Sequence, residues 1–233
     1  MYMFCLRCSL LCLGAILVHS GSARTALDLQ IEPPPQKVMS ARDVFWSVQD
    51  LVPALRYSVL KQIQTGEYEE VAPTTTFHAG DFIRLKVTSN QDGYLYIINR
   101  GSSGKWRPLF PAPGTTGTNR LMKRQDVTVP ATAWKFEGQP GQEKVFILLT
   151  RTPQSNLDKM IASLQSDEGN NAGINDQLLV KVRGEVNEKD LVLTGPGEAL
   201  APTGKRDHAG YVANVNTSTP APRVKVDVVL SYQ

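Results

Sequence analysis

Residues 77–111 read FHAGDFIRLKVTSNQDGYLYIINRGSSGKWRPLFP, and this stretch decides the fold class. Over residues 82–88, Ile83, Leu85 and Val87 alternate with Arg84, Lys86 and Thr88. A period of two puts apolar groups on one face of a strand and long polar ones on the other. Residues 94–98 differ, because Tyr94, Tyr96 and Ile98 share one face and Leu95 and Ile97 the other. Both faces are apolar, which predicts a strand inside a sheet rather than at its edge. Between the two runs, Ser89-Asn90-Gln91-Asp92-Gly93 reads as a turn whose Asp-Gly pair accepts positive φ. Asp92 is a turn residue on this reading. Gly101 and Gly104 mark a second turn around Ser102 and Ser103. The extended run from Trp106 to Phe110 follows, and Pro108, which lacks an N–H, predicts a strand end or an edge there.

Working outward, Leu55, Tyr57 and Val59 alternate with Arg56 and Ser58, and Thr65-Gly66 is a turn from which residues 68–71 return antiparallel. In residues 41–51, Val44, Val48 and Leu51 have helical spacing that Phe45 and Trp46 blur, so the segment reads as a short ordered lead-in. Residues 127–129 predict a short strand stopped by Pro130, and Trp134 and Phe136 alternate with Lys135. Residues 145–149 are apolar on both faces and predict a second central strand. One helix is predicted over residues 156–165, from Leu157, Met160, Ile161 and Leu164 at i, i+3, i+4, i+7. Ser155 or Asn156 can cap it, and Asp158 suits its first turn. Residues 166–176 read as a polar loop, 178–182 and 191–193 as strands, and 199–210 as a long exposed loop. In residues 223–232, Val224, Val226, Val228, Leu230 and Tyr232 hold one face, which fixes the register and places 178–233 in the main fold.

Many short strands with turn signals between them make the chain mainly β. The expected architecture is an antiparallel β-sandwich, immunoglobulin-like or related, with one short α-helix covering an end.

Three strings within this region resemble the bacterial family called domain of unknown function 4384. They are Phe77 with Gly80-Asp81 and Ile83-Arg84-Leu85, then residues 92–104, then Leu109-Phe110-Pro111. Pro140-Gly141-Gln142-Glu143 with residues 145–150, and the strand at 55–60, resemble it too. The resemblance covers about residues 54–165. It implies a β-rich bacterial module of the envelope or of signalling proteins, sometimes attached to peptidase-like or kinase domains. It brings no established activity and no catalytic residue, and no attached enzyme domain is recognisable in this chain.

Residues 1–23 resemble a secretory signal: Arg7 precedes the apolar run SLLCLGAILV at 9–18, and Gly21-Ser22-Ala23 precedes a plausible cut after Ala23. The run is too short to span a bilayer as a helix, so no transmembrane helix is expected in the mature chain. Retention as an uncleaved anchor is the competing reading. All three cysteines, Cys5, Cys8 and Cys12, lie in this segment. The mature chain then has no disulfide and no thiolate, and burial alone must hold it together. Residues 24–40, with Pro33-Pro34-Pro35, read as a Pro-rich linker, and 41–233 as a single β-rich domain. The expected location is periplasmic or extracellular. The formal charge is +3, with basic and acidic residues mixed, and no nucleic-acid-binding stripe results. Arg120, Lys123 and Arg124 form the nearest basic group and read as a solvated loop.

Catalytic patterns are missing. His78 sits in a turn and His208 in a loop, without the close spacing of a zinc site. No serine lies in a Gly-x-Ser-x-Gly setting. Residues 197–205 fail as a phosphate loop on spacing and on Arg206. Asp167, Asn170, Asn171, Asn175 and Asp176 do not match an EF-hand. Neither a metal nor a cofactor is expected. Glu143, beside its Pro-Gly turn, is the acid to inspect first. Tyr94, Tyr96, Trp106 and Trp134 are the candidate ligand-binding residues, able to stack on a sugar or peptide where exposed and to pack the core where not. The expected function is that of a non-catalytic exported β-domain binding a cell-envelope protein or surface polymer. The alternative is a carboxylate-dependent envelope hydrolase, which needs two acids in a cleft, one with a raised pKa.

Overall fold

The computed structural model describes residues 39–47, 52–101, 104, 106–112, 119–137, 139–165, 176–197 and 207–233. The expected signal, nearly all of the linker, Ser102-Ser103, the loop at 166–175 and residues 199–206 lie outside the described residues. In chain order the elements are α1 (Ala41–Trp46), β1 (Ala54–Gln62), β2 (Tyr68–Val71), β3 (Thr76–Phe77), β4 (Phe82–Ser89), β5 (Gly93–Arg100), β6 (Trp106–Phe110), β7 (Arg120–Leu121), β8 (Asp126–Lys135), β9 (Gly141–Thr150), α2 (Ser155–Gln165), α3 (Asp176–Gly184), a 3-10 turn (Glu188–Asp190), β10 (Leu191–Thr194), β11 (Gly210–Asn214) and β12 (Val224–Tyr232).

Two sheets face each other. The first has the order β10-β11-β1-β4-β8, with β2 also on β1, and all its pairs are antiparallel. The second has the order β3-β12-β9-β5-β6, with β7 also on β5, and is antiparallel except for the short β3–β12 pair. The inward alternates fill the space between them: Leu55, Tyr57 and Val59 of β1, Ile83, Leu85 and Val87 of β4, Leu95 and Ile97 of β5, Val145, Ile147 and Leu149 of β9, and the whole apolar row of β12. The mainly β sandwich read from the sequence is the observed fold. β5 and β9 lie inside their sheet, and β6, with Pro108, forms an edge. The last strand runs between β3 and β9, as its clean alternation requires.

Five expectations need correction. Residues 178–182 form part of α3, not a strand. Leu179 and Val182 share one face of the helix and are buried, while Val180 between them is 67% exposed; Val186, just past the helix end, is buried with them. With α1 and α2 the described residues hold three α-helices rather than one. α2 and α3 cover the outer face of the second sheet, laying Leu157, Ile161, Leu179 and Val182 on Tyr96, Ile98, Phe146 and Leu148. The strand at 127–129 does not stop at Pro130 but runs on to Lys135. β8 is an edge strand with a register shift opposite Ile83 and Leu85, where a missing N–H breaks no ladder. Residue 210 begins a strand, β11, buried along its whole length. Finally, Gly93 is needed for closeness, not for positive φ. A Cβ there would stand 2.8 Å from both Leu149 Cδ1 and the Thr150 carbonyl oxygen.

Candidate functional site

The outer face of the first sheet carries the polar alternates of its strands. Arg56 of β1 lies opposite Tyr211 of β11 on one side and Thr88 of β4 on the other, and Thr88 lies opposite Asp126 of β8. Tyr211, Arg56, Thr88 and Asp126 therefore form one row across four neighbouring strands. Lys86 stands two residues from Thr88, on the same face.

α1 covers only one end of this face. Ser40 and Asp43 close a capping box at its start, which lets a six-residue helix hold its shape. Ala41, Val44 and Phe45 pack on Ala54, Ala209, Tyr211 and Ala213. Those alanines allow the helix to lie close to the strands. The buried Asn90 fixes the start of β1 beneath it, accepting from the Ala54 amide (2.7 Å) and donating to the Val52 carbonyl (3.0 Å). Trp46, at the end of α1, stays 48% exposed. Its ring meets Phe45 edge-on at 5.1 Å, and its Nε1 donates to the Tyr211 hydroxyl at 3.4 Å.

Arg124 closes the far side. It was expected in a solvated loop, yet its guanidinium lies over Phe45 at 4.5 Å and Trp46 at 5.1 Å and donates to the Phe45 carbonyl. The reason is local. The Arg124 amide donates to Ser89 O and the Lys123 amide to the Asp92 carboxylate, each at 2.8 Å, so the β4–β5 turn pins this corner. Arg124 takes φ of 62°, the left-handed region that a branched or long side chain seldom occupies. The cation–aromatic contacts and the link to a helix-end carbonyl offset that strain.

Beneath α1 and Arg124 lies a cavity of about 330 Å3 reached by Trp46, Arg56, Lys86, Thr88, Asp126, Asp207 and Tyr211. The charges of Arg56 and Asp207 are paired in place. Asp207 is 6% exposed and accepts from the Tyr211 hydroxyl (2.5 Å), the Ala209 amide (3.2 Å), Arg42 Nε (3.4 Å) and Arg56 Nη2 (3.5 Å). Burial pushes its carboxyl up, but the Tyr211 hydroxyl, the Ala209 amide and the two arginines outweigh burial and hold it below the usual range. Burial, with Asp207 alongside, raises the Tyr211 hydroxyl. Arg56 also meets both Glu70 oxygens, at 2.8 and 2.9 Å. Thr88 donates to Asp126 Oδ1 at 2.5 Å. The cleft thus offers an aromatic wall with fixed donors and acceptors around it, an arrangement that can hold a ligand.

Three of the four aromatic residues singled out in the sequence, Tyr94, Tyr96 and Trp106, come together, but in the packed layer under α2 and α3 rather than at an open face; Trp134 packs against the inter-sheet core instead. Tyr96 and Trp106 are buried and Tyr94 half-buried on the outer face of the second sheet. The Tyr96 hydroxyl donates to Asp158 (2.8 Å) and accepts from the Gln154 amide (2.7 Å), and burial drives its pKa to about 12. Trp106 lies under the guanidinium groups of Arg100 and Arg183, at 5.7 and 4.8 Å. Trp134 is half-buried on β8, 5.8 Å from Phe136. Trp46, Arg56, Asp207 and Tyr211 were missed as site residues.

Glu143 faces the inter-sheet core and is 7% exposed. Burial raises its carboxyl, partly offset by hydrogen bonds from Asn99, at 3.1 Å, and Trp134. Its partners among the described residues are not acids. The His78 amide donates to Asp81 at 2.8 Å within its turn. Among the described residues no group of three His, Cys, Asp or Glu could hold a metal ion, and no helix is long and apolar enough to cross a membrane.

Residues 76–153 match the family described as "Domain of unknown function (DUF4384)". The match takes in Lys86, Thr88, Arg124 and Asp126 but begins after β1, so it is narrower than the resemblance over 54–165. Trp46, Arg56, Asp207 and Tyr211 lie outside it. No curated protein and no solved structure matches the chain.

Proposed function

We propose that this protein is a non-catalytic exported β-domain that binds a cell-envelope protein or surface polymer, and that the cleft beneath α1 is where it binds. The observation that carries the reading is Trp46, a large aromatic side chain held half-exposed at the rim of a cavity lined by hydrogen-bonding groups. The signal-like segment at residues 1–23 supports export to a periplasmic or extracellular location. N-terminal sequencing of the secreted chain tests that part, with a new terminus expected at Arg24. Binding is tested by immobilising the chain and passing over it an envelope fraction, split into protein and polysaccharide. Retention by the wild type and loss with Trp46→Ala is the expected result; nothing retained from either fraction would overturn the proposal.

A carboxylate-dependent envelope hydrolase remains the second reading, favoured by one observation, the raised carboxyl of Glu143. Turnover in a broad hydrolase screen that Glu143→Gln abolishes would establish it in place of the first.

A further inference from the structure

We infer that the cleft beneath α1 is a carbohydrate subsite: it takes a neutral sugar ring with its C–H face on Trp46 and neighbouring hydroxyls bridging Lys86 and Asp126. The inference rests on the binding reading above and adds the class of ligand.

Trp46 supplies the platform. Phe45 edge-on, Arg124 and the Tyr211 hydroxyl fix its ring from three sides. A ring already immobilised loses little freedom when a ligand lands on it. Stacking of this kind needs an apolar face with polar groups around its rim, which a sugar ring has.

The polar groups decide the charge of the ligand. Arg56 is occupied by Glu70 and Asp207. Lys86 has its nearest acid, Glu70, at 3.7 Å, beyond hydrogen-bond distance, so its ammonium keeps donors for another partner. Asp126 uses one oxygen for Thr88, and its Oδ2 makes no hydrogen bond among the described residues. Thr88 lies opposite Asp126 and Lys86 opposite Thr128, so Lys86 and Asp126 are diagonal neighbours on adjacent strands, about 7 Å apart. A ligand between them meets one cation and one anion. An anionic group would be drawn to Lys86 and Arg124 but repelled by Asp126 and Asp207, and a cationic group would meet the reverse, so neither charge finds the whole lining favourable. A hydroxyl suits both, since it accepts from the ammonium and donates to the carboxylate. Two adjacent hydroxyls on one ring satisfy the pair together. The cavity of about 330 Å3 lies near the lower end of the range for small ligands, enough for one ring of a longer chain.

The test is a broad printed array of neutral and acidic glycans, probed with the full chain, followed by titration of the best binder across salt concentrations. A neutral glycan is expected to bind, with affinity changing less than about twofold between roughly 0.05 and 0.5 M salt. Trp46→Ala is expected to weaken it at least tenfold. Because Trp46 also packs on Phe45, Lys86→Met is the second variant: it keeps the apolar stem, removes the donors, and should weaken binding several-fold with an unchanged circular-dichroism spectrum. Binding of acidic glycans alone, fading steeply with salt, would overturn the inference. So would a neutral binder indifferent to both substitutions. No glycan bound, with an envelope protein still retained through Trp46, would remove the sugar and leave the binding reading standing; nothing retained from either source would remove both.

Discussion

The two outer faces of this sandwich have opposite fates. On the second sheet the outward alternates are Tyr96, Ile98, Phe146 and Leu148, and α2 and α3 seal them from water. On the first sheet the outward alternates include Arg56, Lys86 and Thr88, and the six-residue α1 covers only the end where β1 and β11 present alanines. An apolar outer row must be covered, so it becomes a second core. A polar outer row need not be, so a short helix laid over its edge leaves a cleft. The side-chain alternation of the strands thus decides which face packs and which is free to bind.

Paired substitutions test that contrast most strongly. Phe146→Ala on the sealed face should cost about 3–5 kcal/mol in chemical denaturation, whereas Trp46→Ala on the open face should cost less than about 1 kcal/mol. Equal costs would erase the distinction between the faces.

The buried acid of the open face gives the next effect. The folded pKa of Asp207 is depressed, so its contribution is present above the unfolded value near 3.9 and vanishes as pH falls through the folded value. Asp207→Asn should lose about 1–3 kcal/mol near neutral pH, because Arg42 and Arg56 lose their anion. In thermal unfolding from about pH 7 to about pH 2, wild type and variant should converge at the acid end. A constant gap would show that packing, not charge, is what Asp207 provides.

On the sealed face the polar anchor is the Tyr96 hydroxyl, bound to Gln154 and Asp158 at the start of α2. Tyr96→Phe should cost about 1–2 kcal/mol by leaving the Gln154 amide without its acceptor, and faster amide exchange in α2 should accompany the loss. An unchanged exchange pattern would mean that α2 is held by its apolar face alone.

Glu143, inside the sandwich, is expected to show the smallest effect and the opposite sign. Its folded pKa is raised, so its contribution is fullest below the unfolded value and is lost as pH rises through the folded one. Glu143→Gln should raise stability at neutral pH by up to about 1 kcal/mol, with the gain fading in acid. A destabilised variant at neutral pH would mean that its bonds to Asn99 and Trp134 need the charge.

Much of this was legible in the sequence where a strand had strict alternation or two apolar faces. β4, β5, β9 and β12 follow from their side-chain order, and so does the need to cover the outer face of β5. The misreadings share a cause. The run at 178–182 is short and apolar, and short apolar runs fit both periods. Only the sheet it must cover selects the helix that buries Leu179 and Val182. β11 is made of Gly210, Tyr211, Val212, Ala213 and Asn214, mostly weak strand formers, and becomes a strand because β1 and β10 pair with it on either side. Gly210 itself passes so close to the Tyr57 ring that a Cβ would stand 2.3 Å from it. The site was hidden for a further reason. Trp46 and Tyr211 are far apart in the chain; Trp46 was read as part of a blurred helical pattern, and Tyr211, one residue past the loop read at 199–210, was given no role. Lys86 and Thr88 were visible as polar alternates, but nothing local says that α1 and Arg124 roof them over.

The most direct test is an amide-resolved NMR titration of the full chain with the neutral glycan that binds best. The account predicts shifts confined to α1, the Arg124 corner, and the rows of β1, β4, β8 and β11 around Arg56, Lys86, Thr88, Asp126 and Tyr211. Shifts centred on α2 and α3, or none at all at saturating glycan, would contradict it.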